Sequence, residues 1–150
     1  MSINVNITGV PELAARLQSP DLIAAPLRRG LDRAGYIVES EAKILSPVDR
    51  GRLRASITHE VDPSTVPMFC RVGTNVQYAR AVHDGRPPGS MPPMREIAGW
   101  AQRHGLPAWP VAVAIARNGT PAQPYLSPAL ERREREAISA IDDGLRGIQL

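Results

Sequence analysis

At Ser46-Pro47 the hydrophobic period of this chain changes, and that switch points to a fold that mixes helix and sheet. Upstream, Leu27, Leu31, Ala34, Val38, Ala42 and Leu45 recur at spacings of three and four residues. They form one apolar stripe of an amphipathic helix. Ser19-Pro20-Asp21 supplies its start: a capping serine, a proline suited to the first turn, and an acid at the positive end of the helix dipole. Pro47 ends it, because the residue before a proline resists the α conformation. Downstream, Leu53, Ala55, Ile57, His59 and Val61 alternate with Arg54, Ser56, Thr58, Glu60 and Asp62. That is strand periodicity. After a loop from Pro63 to Pro67, Met68, Cys70 and Val72 alternate with Phe69, Arg71 and Gly73. The two runs predict an antiparallel hairpin with one apolar face, covered most economically by the helix over 20–45. Gly30 and Gly35 either weaken that helix, by about 1 kcal/mol each, or mark the close approach of another backbone.

The rest of the chain reads as shorter elements. Ile3, Val5 and Ile7 alternate with Asn4, Asn6 and Thr8, which predicts a further half-buried strand, and Pro11-Glu12 opens a short helix through about Gln18. A short helix over Tyr78 to Asp84 is stopped by Gly85. Arg86 to Pro93 is a proline-rich loop. Helices over Met94 to His104 and Pro110 to Arg117 make residues 90–118 a two-helix excursion, with turn chemistry at Asn118-Gly119-Thr120-Pro121. Ser127-Pro128 starts a last helix, with i,i+4 pairs at Glu131/Arg135, Arg132/Glu136 and Asp142/Arg146. The expected fold class is α+β. It has a small antiparallel sheet of three to four strands, covered on one face by the long helix and the C-terminal helix. At 150 residues the chain reads as a single domain over 1–150, with an insertion at 90–118.

Little in the sequence argues for chemistry. Cys70 is the sole cysteine, so an internal disulfide and a CxxC metal clamp are excluded. His59 falls on the apolar face of a strand and reads as a hydrogen-bonded core residue. His83 and Asp84 are neighbours, and neighbours on a helix do not face each other, so no His-Asp dyad is expected. His104 suits a helix C-terminus. No GxSxG, P-loop or GxGxxG motif occurs. No catalytic, metal or cofactor residue is therefore expected, and the chain does not read as an enzyme. Nor does it show a signal peptide or an apolar run that reaches the ~18 residues of a membrane span. The sequons at Asn6 and Asn118 read as chance matches. Lys43 is the only lysine among 18 basic residues, and net charge is +3. Arg52, Arg54, Arg71, Arg80 and Arg86 outnumber Glu60, Asp62 and Asp84 between them. That surplus falls short of a dedicated duplex binder's basic stripe, but it leaves an arginine-rich DNA-binding accessory protein as the alternative reading.

Three blocks carry a resemblance. Ser46-Pro47-Val48-Asp49-Arg50-Gly51-Arg52-Leu53-Arg54-Ala55-Ser56-Ile57 is the first. Val72-Gly73-Thr74-Asn75-Val76-Gln77-Tyr78-Ala79-Arg80-Ala81-Val82-His83-Asp84-Gly85 is the second. Gly119-Thr120-Pro121-Ala122-Gln123-Pro124-Tyr125-Leu126-Ser127-Pro128-Ala129-Leu130 is the third. In this order they resemble the signature blocks of tailed-bacteriophage neck and tail-completion proteins, also described as minor tail, head–tail joining or gene-ten-like morphogenesis proteins. Arg50 stands where the family usually has Thr, His83-Asp84 where it has an acidic-aromatic pair, and Gln123 where it has Arg. The resemblance implies a virion protein without catalytic role, assembled in the host cytoplasm. Its copies would form a hexameric ring between the tail tube protein and the head-closure or connector protein, with DNA passing through the lumen and no membrane involved. The expected interface residues are Arg50, Arg52, Arg54, Tyr78, Arg86, Met91, Met94, Trp100, Trp109 and Tyr125. The methionines and tryptophans would face neighbouring subunits or the adjoining ring. The Arg50, Arg52 and Arg54 group would face an acidic partner or the DNA.

Overall fold

A long helix, α1 (Pro20–Leu45), opens the part of the chain that the computed structural model describes, residues 20–62 and 67–146. The strand expected over 3–8 and the helix expected over 11–18 lie outside these residues. Helix α1 runs through Pro26, which removes one backbone donor near its start. It ends as the proline rule predicts. Ser46 is buried there, its N–H donating to the Ala42 carbonyl at 2.9 Å and its hydroxyl to the Lys43 carbonyl at 3.0 Å. Two of the carbonyls left over at the helix end are thereby satisfied.

The next element corrects the sequence reading. Residues 53–56 are not strand but the body of a short helix, α2 (Arg52–Ser56), and strand β1 (Ile57–Asp62) begins only after it. Gly51 takes a left-handed conformation, φ +75°, that turns the chain into this helix. The Ala55 N–H reaches the Gly51 carbonyl at 2.8 Å, and the Ser56 hydroxyl reaches the Leu53 carbonyl at 2.8 Å. Leu53 and Ile57 are both buried. A spacing of four satisfies helix and strand alike, so alternation could not separate them. Strand β1 pairs with β2 (Phe69–Thr74) in a two-stranded antiparallel sheet. The expected count of three to four strands is therefore not seen among the described residues. Then follow α3 (Ala79–His83), α4 (Met94–Arg103), α5 (Ala108–Asn118) and α6 (Leu126–Arg146). The chain is mixed α+β, with several helices and a small sheet.

Two compact units result. The first gathers residues 20–41, 58–62, 67–73 and 129–146; the second gathers 42–57 and 74–128. In the first, α1 and α6 run antiparallel through a glycine crossing. A Cβ on Gly30 would stand 2.9 Å from the Cα of Ile141, and one on Gly144 would stand 2.9 Å from the Cα of Gly30. Farther along, Glu41 takes ion pairs from Arg133 at 2.9 Å and Arg132 at 3.3 Å. These contacts replace the expected Arg132/Glu136 pair. Along α6 itself, the ion pairs of the described residues are i,i+3: Arg133–Glu136 at 2.7 Å and Arg146–Asp143 at 3.9 Å. Gly35 lets α1 approach the sheet, since a Cβ there would meet Cys70 Sγ and the His59 ring. Both helical glycines thus mark close packing, the second of the two readings above.

In the second unit, an antiparallel bridge ties Arg86 to Thr120 through two backbone hydrogen bonds of 3.0 and 2.9 Å. It closes the base of the α4–α5 excursion. Gly119 sits there at φ +72°, with its Cα against the Arg86 carbonyl, where a side chain has neither room nor an allowed backbone. The Gly89 N–H donates to the Ala116 carbonyl at 2.8 Å, fastening the proline-rich loop to α5. Tyr125, 1% exposed, is the largest fully buried side chain of this unit.

Candidate assembly interface

All ten expected interface residues fall within the second unit. Arg50, Arg52 and Arg54 are exposed on either side of buried Leu53. Asp49, just before them, receives the Arg103 guanidinium through both Nε, at 3.3 Å from Oδ1, and Nη2. The paired guanidinium holds the Asp49 carboxyl below its usual value, and the arginine corner is so fastened to the end of α4. Arg86 is half-buried and turned inward on the loop, its Nη2 donating to Ser90 Oγ at 2.7 Å and to the Met91 carbonyl at 3.1 Å. Tyr78 is half-buried.

The apolar side chains lie along the excursion. Trp109 is 62% exposed, and Met91, Met94, Trp100 and Leu106 are exposed as well. Trp100 stacks on His104, ring centroids 4.1 Å apart, and His104 Nδ1 lies 2.9 Å from the Trp100 carbonyl. That bond satisfies the end of α4 at the position where sequence placed a histidine for the dipole. Tyr125 is different. It belongs to the core, with the His83 ring edge-on at 5.1 Å, and offers no surface to a partner.

His83 corrects a second expectation. Its Nδ1 lies 2.8 Å from Asp84 Oδ1, and its Nε2 lies 3.3 Å from Ser127 Oγ. The helical rule against neighbours does not apply, because α3 ends at His83 and Asp84 lies beyond it. The hydrogen bond to His83 lowers the Asp84 carboxyl below its usual value. Serine, histidine and aspartate stand in the order of a nucleophile, base and orienting acid. The residue after Ser127 is Pro128, however, which has no N–H to offer an oxyanion at the place where a nucleophile elbow has one. The trio ties the first turn of α6 to the end of α3.

In the first unit, His59 bridges two carboxylates. Its backbone N–H donates to Glu39 Oε2 at 2.9 Å, its Nδ1 lies 2.5 Å from the same oxygen, and its Nε2 lies 3.3 Å from Asp32 Oδ1. His59 is thus hydrogen-bonded, as the sequence suggested, but half-buried rather than a core residue. Burial pushes the half-buried Cys70 thiol up, which keeps it protonated and unreactive at neutral pH. No group of three or more His, Cys, Asp or Glu among the described residues is placed to hold a metal ion. No helix among them is long and apolar enough to cross a membrane.

Residues 12–85 match the HK97-gp10-like family model, described as "Bacteriophage HK97-gp10, putative tail-component". Over these residues the chain is similar to the HK97-gp10-like family of phage tail components. No curated protein and no solved structure matches it. The match takes in α1, α2, the hairpin and α3, and stops at Gly85, the foot of the excursion. The HK97-gp10-like segment therefore includes the Asp49–Arg54 corner, while α4, α5 and α6 lie outside it. Sequence reasoning missed Arg103, whose partner lies 54 residues away, and Leu130 and Ile138 of α6, both exposed. Ile138 follows the buried Ala137, and the one-residue step turns it from the buried to the outer side.

A pH dependence follows from the paired carboxylates. Arg133, hydrogen-bonded to Glu41, holds that carboxyl below its ordinary value of 4.5. A lowered native value means stability that is complete above the unfolded value and is lost as pH falls through the native one. Urea midpoints are expected to hold from pH 7 to about 5 and then drop. Arg133→Ala should flatten that acid limb while lowering stability at neutral pH. An unchanged acid limb in this variant would show that the pair does not contribute.

Proposed function

We propose that this protein is a structural subunit of the phage neck, a tail-terminator or tail-completion protein. Its copies form a ring that joins the tail tube to the head connector and lets DNA pass. In this reading the chain has no catalytic role, and the virion is where it acts. One observation carries the proposal: the second unit extends a two-helix excursion, clasped at its base, that leaves Trp109, Leu106, Met91 and Met94 to solvent. Surface of this kind is costly to leave uncovered, and it suits a subunit that buries it against neighbours. The HK97-gp10-like match supports the same reading.

Native mass spectrometry of the purified protein tests it. A discrete ring mass is expected, hexameric by the family resemblance. A protein that stays monomeric but binds duplex DNA in a salt-sensitive way would favour the arginine-rich DNA-binding alternative. Within a ring, Arg50, Arg52 and Arg54 would face an acidic neighbour or the DNA. Reversing all three charges should then weaken assembly or DNA retention, and particles that kept both would argue against that role.

A further inference from the structure

The structure carries two exposed surfaces of complementary character. The first is the excursion. Residues 86–118 hold Arg86, Arg95, Arg103 and Arg117 against a single acid, Glu96, a surplus equal to the +3 of the whole chain. Arg103 is taken by Asp49, and Arg86 by its own loop. Arg95 and Arg117 are exposed and have no ion-pair partner among the described residues. Arg95 follows the exposed Met94 on α4, while Arg117 lies about two turns beyond the exposed Trp109 on α5.

The second surface is the outer side of α6. This helix buries Ala129, Ala137 and Ala140, and leaves Leu130 54% and Ile138 52% exposed. Glu134 lies between them at helical spacing, with Glu131 and Asp142 beside it. Arg132 and Arg133 turn to Glu41, while Glu136 and Asp143 are already paired. Glu131, Glu134 and Asp142 have no ion-pair partner among the described residues. The exposed Arg135 lies on the same side, also without an ion-pair partner among the described residues, so the outer side presents two aliphatic side chains among three acids and one arginine, a net surplus of two acids.

We infer that the acidic outer side of α6 docks on the arginine- and tryptophan-bearing α4–α5 excursion of a second copy of this chain. This inference rests on the reading of the chain as a self-assembling subunit, and it names the two surfaces. Different surfaces meet, so the contact is head-to-tail, the kind a closed ring is built from, rather than a two-fold pair. Leu130 and Ile138 cover Trp109 and its apolar neighbours, and the charges set the register and speed encounter.

Two variants test it, each checked for native helix content by circular dichroism. Glu134→Arg with Asp142→Arg leaves one chain basic on both surfaces. Arg95→Glu with Arg117→Glu leaves the other acidic on both. Alone, each should lose about tenfold or more in self-association by sedimentation velocity at low salt. Mixed in equal amounts, they should assemble again, because alternating copies restore opposite charges at every contact. Assembly of each variant alone, as tight as wild type, would overturn the surface assignment while leaving the ring reading in place. Failure to assemble even when mixed would overturn the assignment too. A wild-type chain that stays monomeric would instead remove the reading on which the inference rests.

Discussion

Gly30→Val is expected to destabilise the first unit by more than about 3 kcal/mol. Two effects compete at this position. Gly30 lies in the interior of α1, so a β-carbon there would gain up to about 1 kcal/mol in helix propensity if the site were open. The site is closed. A Cβ would stand 2.9 Å from the Cα of Ile141 and 3.1 Å from its carbonyl oxygen, and both are backbone atoms of α6 that cannot rotate away. Overpacking of a filled site costs typically 1–3 kcal/mol when side chains can adjust, and here the whole helix must shift. The clash wins over propensity, and the two extra methyls of valine enlarge it. The melting temperature should fall by about 6 °C or more. Gly51→Ala is the control: it shares the glycine-to-larger change and meets a strained φ of +75°, but nothing lies within 4 Å of the added carbon. Its cost should stay near 1–2 kcal/mol. A valine variant that melts no lower than wild type would show that α1 and α6 do not cross at Gly30.

The crossing also shows where the sequence was legible. Gly30 and Gly35 stood out because a helix seldom keeps two glycines without a reason, but Gly144, their counterpart at the end of α6, drew no notice. The long helix, the hairpin, the short helix before Gly85 and the two-helix excursion were all readable from period and punctuation. The error at 53–56 came from a spacing shared by both periods, settled by a left-handed Gly51 that sequence cannot announce. The ion pairs of α6 were misjudged for a different reason. Arg132 and Arg133 had partners in reach along their own helix, but Glu41 is buried, 7% exposed, and a buried carboxylate needs its counter-charge more than a solvated one does. Asp49–Arg103 and His83–Ser127 join residues far apart in sequence, and no local pattern predicts them. Of the expected interface residues, those on the excursion proved exposed. Tyr125 did not, because an aromatic beside a proline reads the same at a surface and in a core.

Tyr125→Ala is expected to cost about 3–5 kcal/mol and to abolish self-assembly together with the fold of the second unit. The rest of that unit's fully hidden interior is small. Its other buried apolar residues are Ala42, Ala79, Ala101 and Ala112 with Leu53 and Ile57, and alanines are too short to close the space a lost ring leaves. The deletion also strips His83 of its edge-on ring contact, and with it the clasp from Asp84 through His83 to Ser127 that starts α6. Tyr125→Phe separates the two contributions. It keeps the ring, its packing and the contact with His83, and removes only a hydroxyl that burial already holds in its protonated form. Its cost should stay under about 1.5 kcal/mol, and it should assemble like wild type. Urea denaturation followed by tryptophan fluorescence reads the second unit directly, because Trp100 and Trp109 both lie within it. An alanine variant as stable as the phenylalanine one would mean that the ring fills nothing. The excursion would then have to be held by its Arg86–Thr120 bridge, the Gly89–Ala116 hydrogen bond and the Asp49–Arg103 pair, and Gly119→Ala, which blocks the bridge, would become the more damaging change.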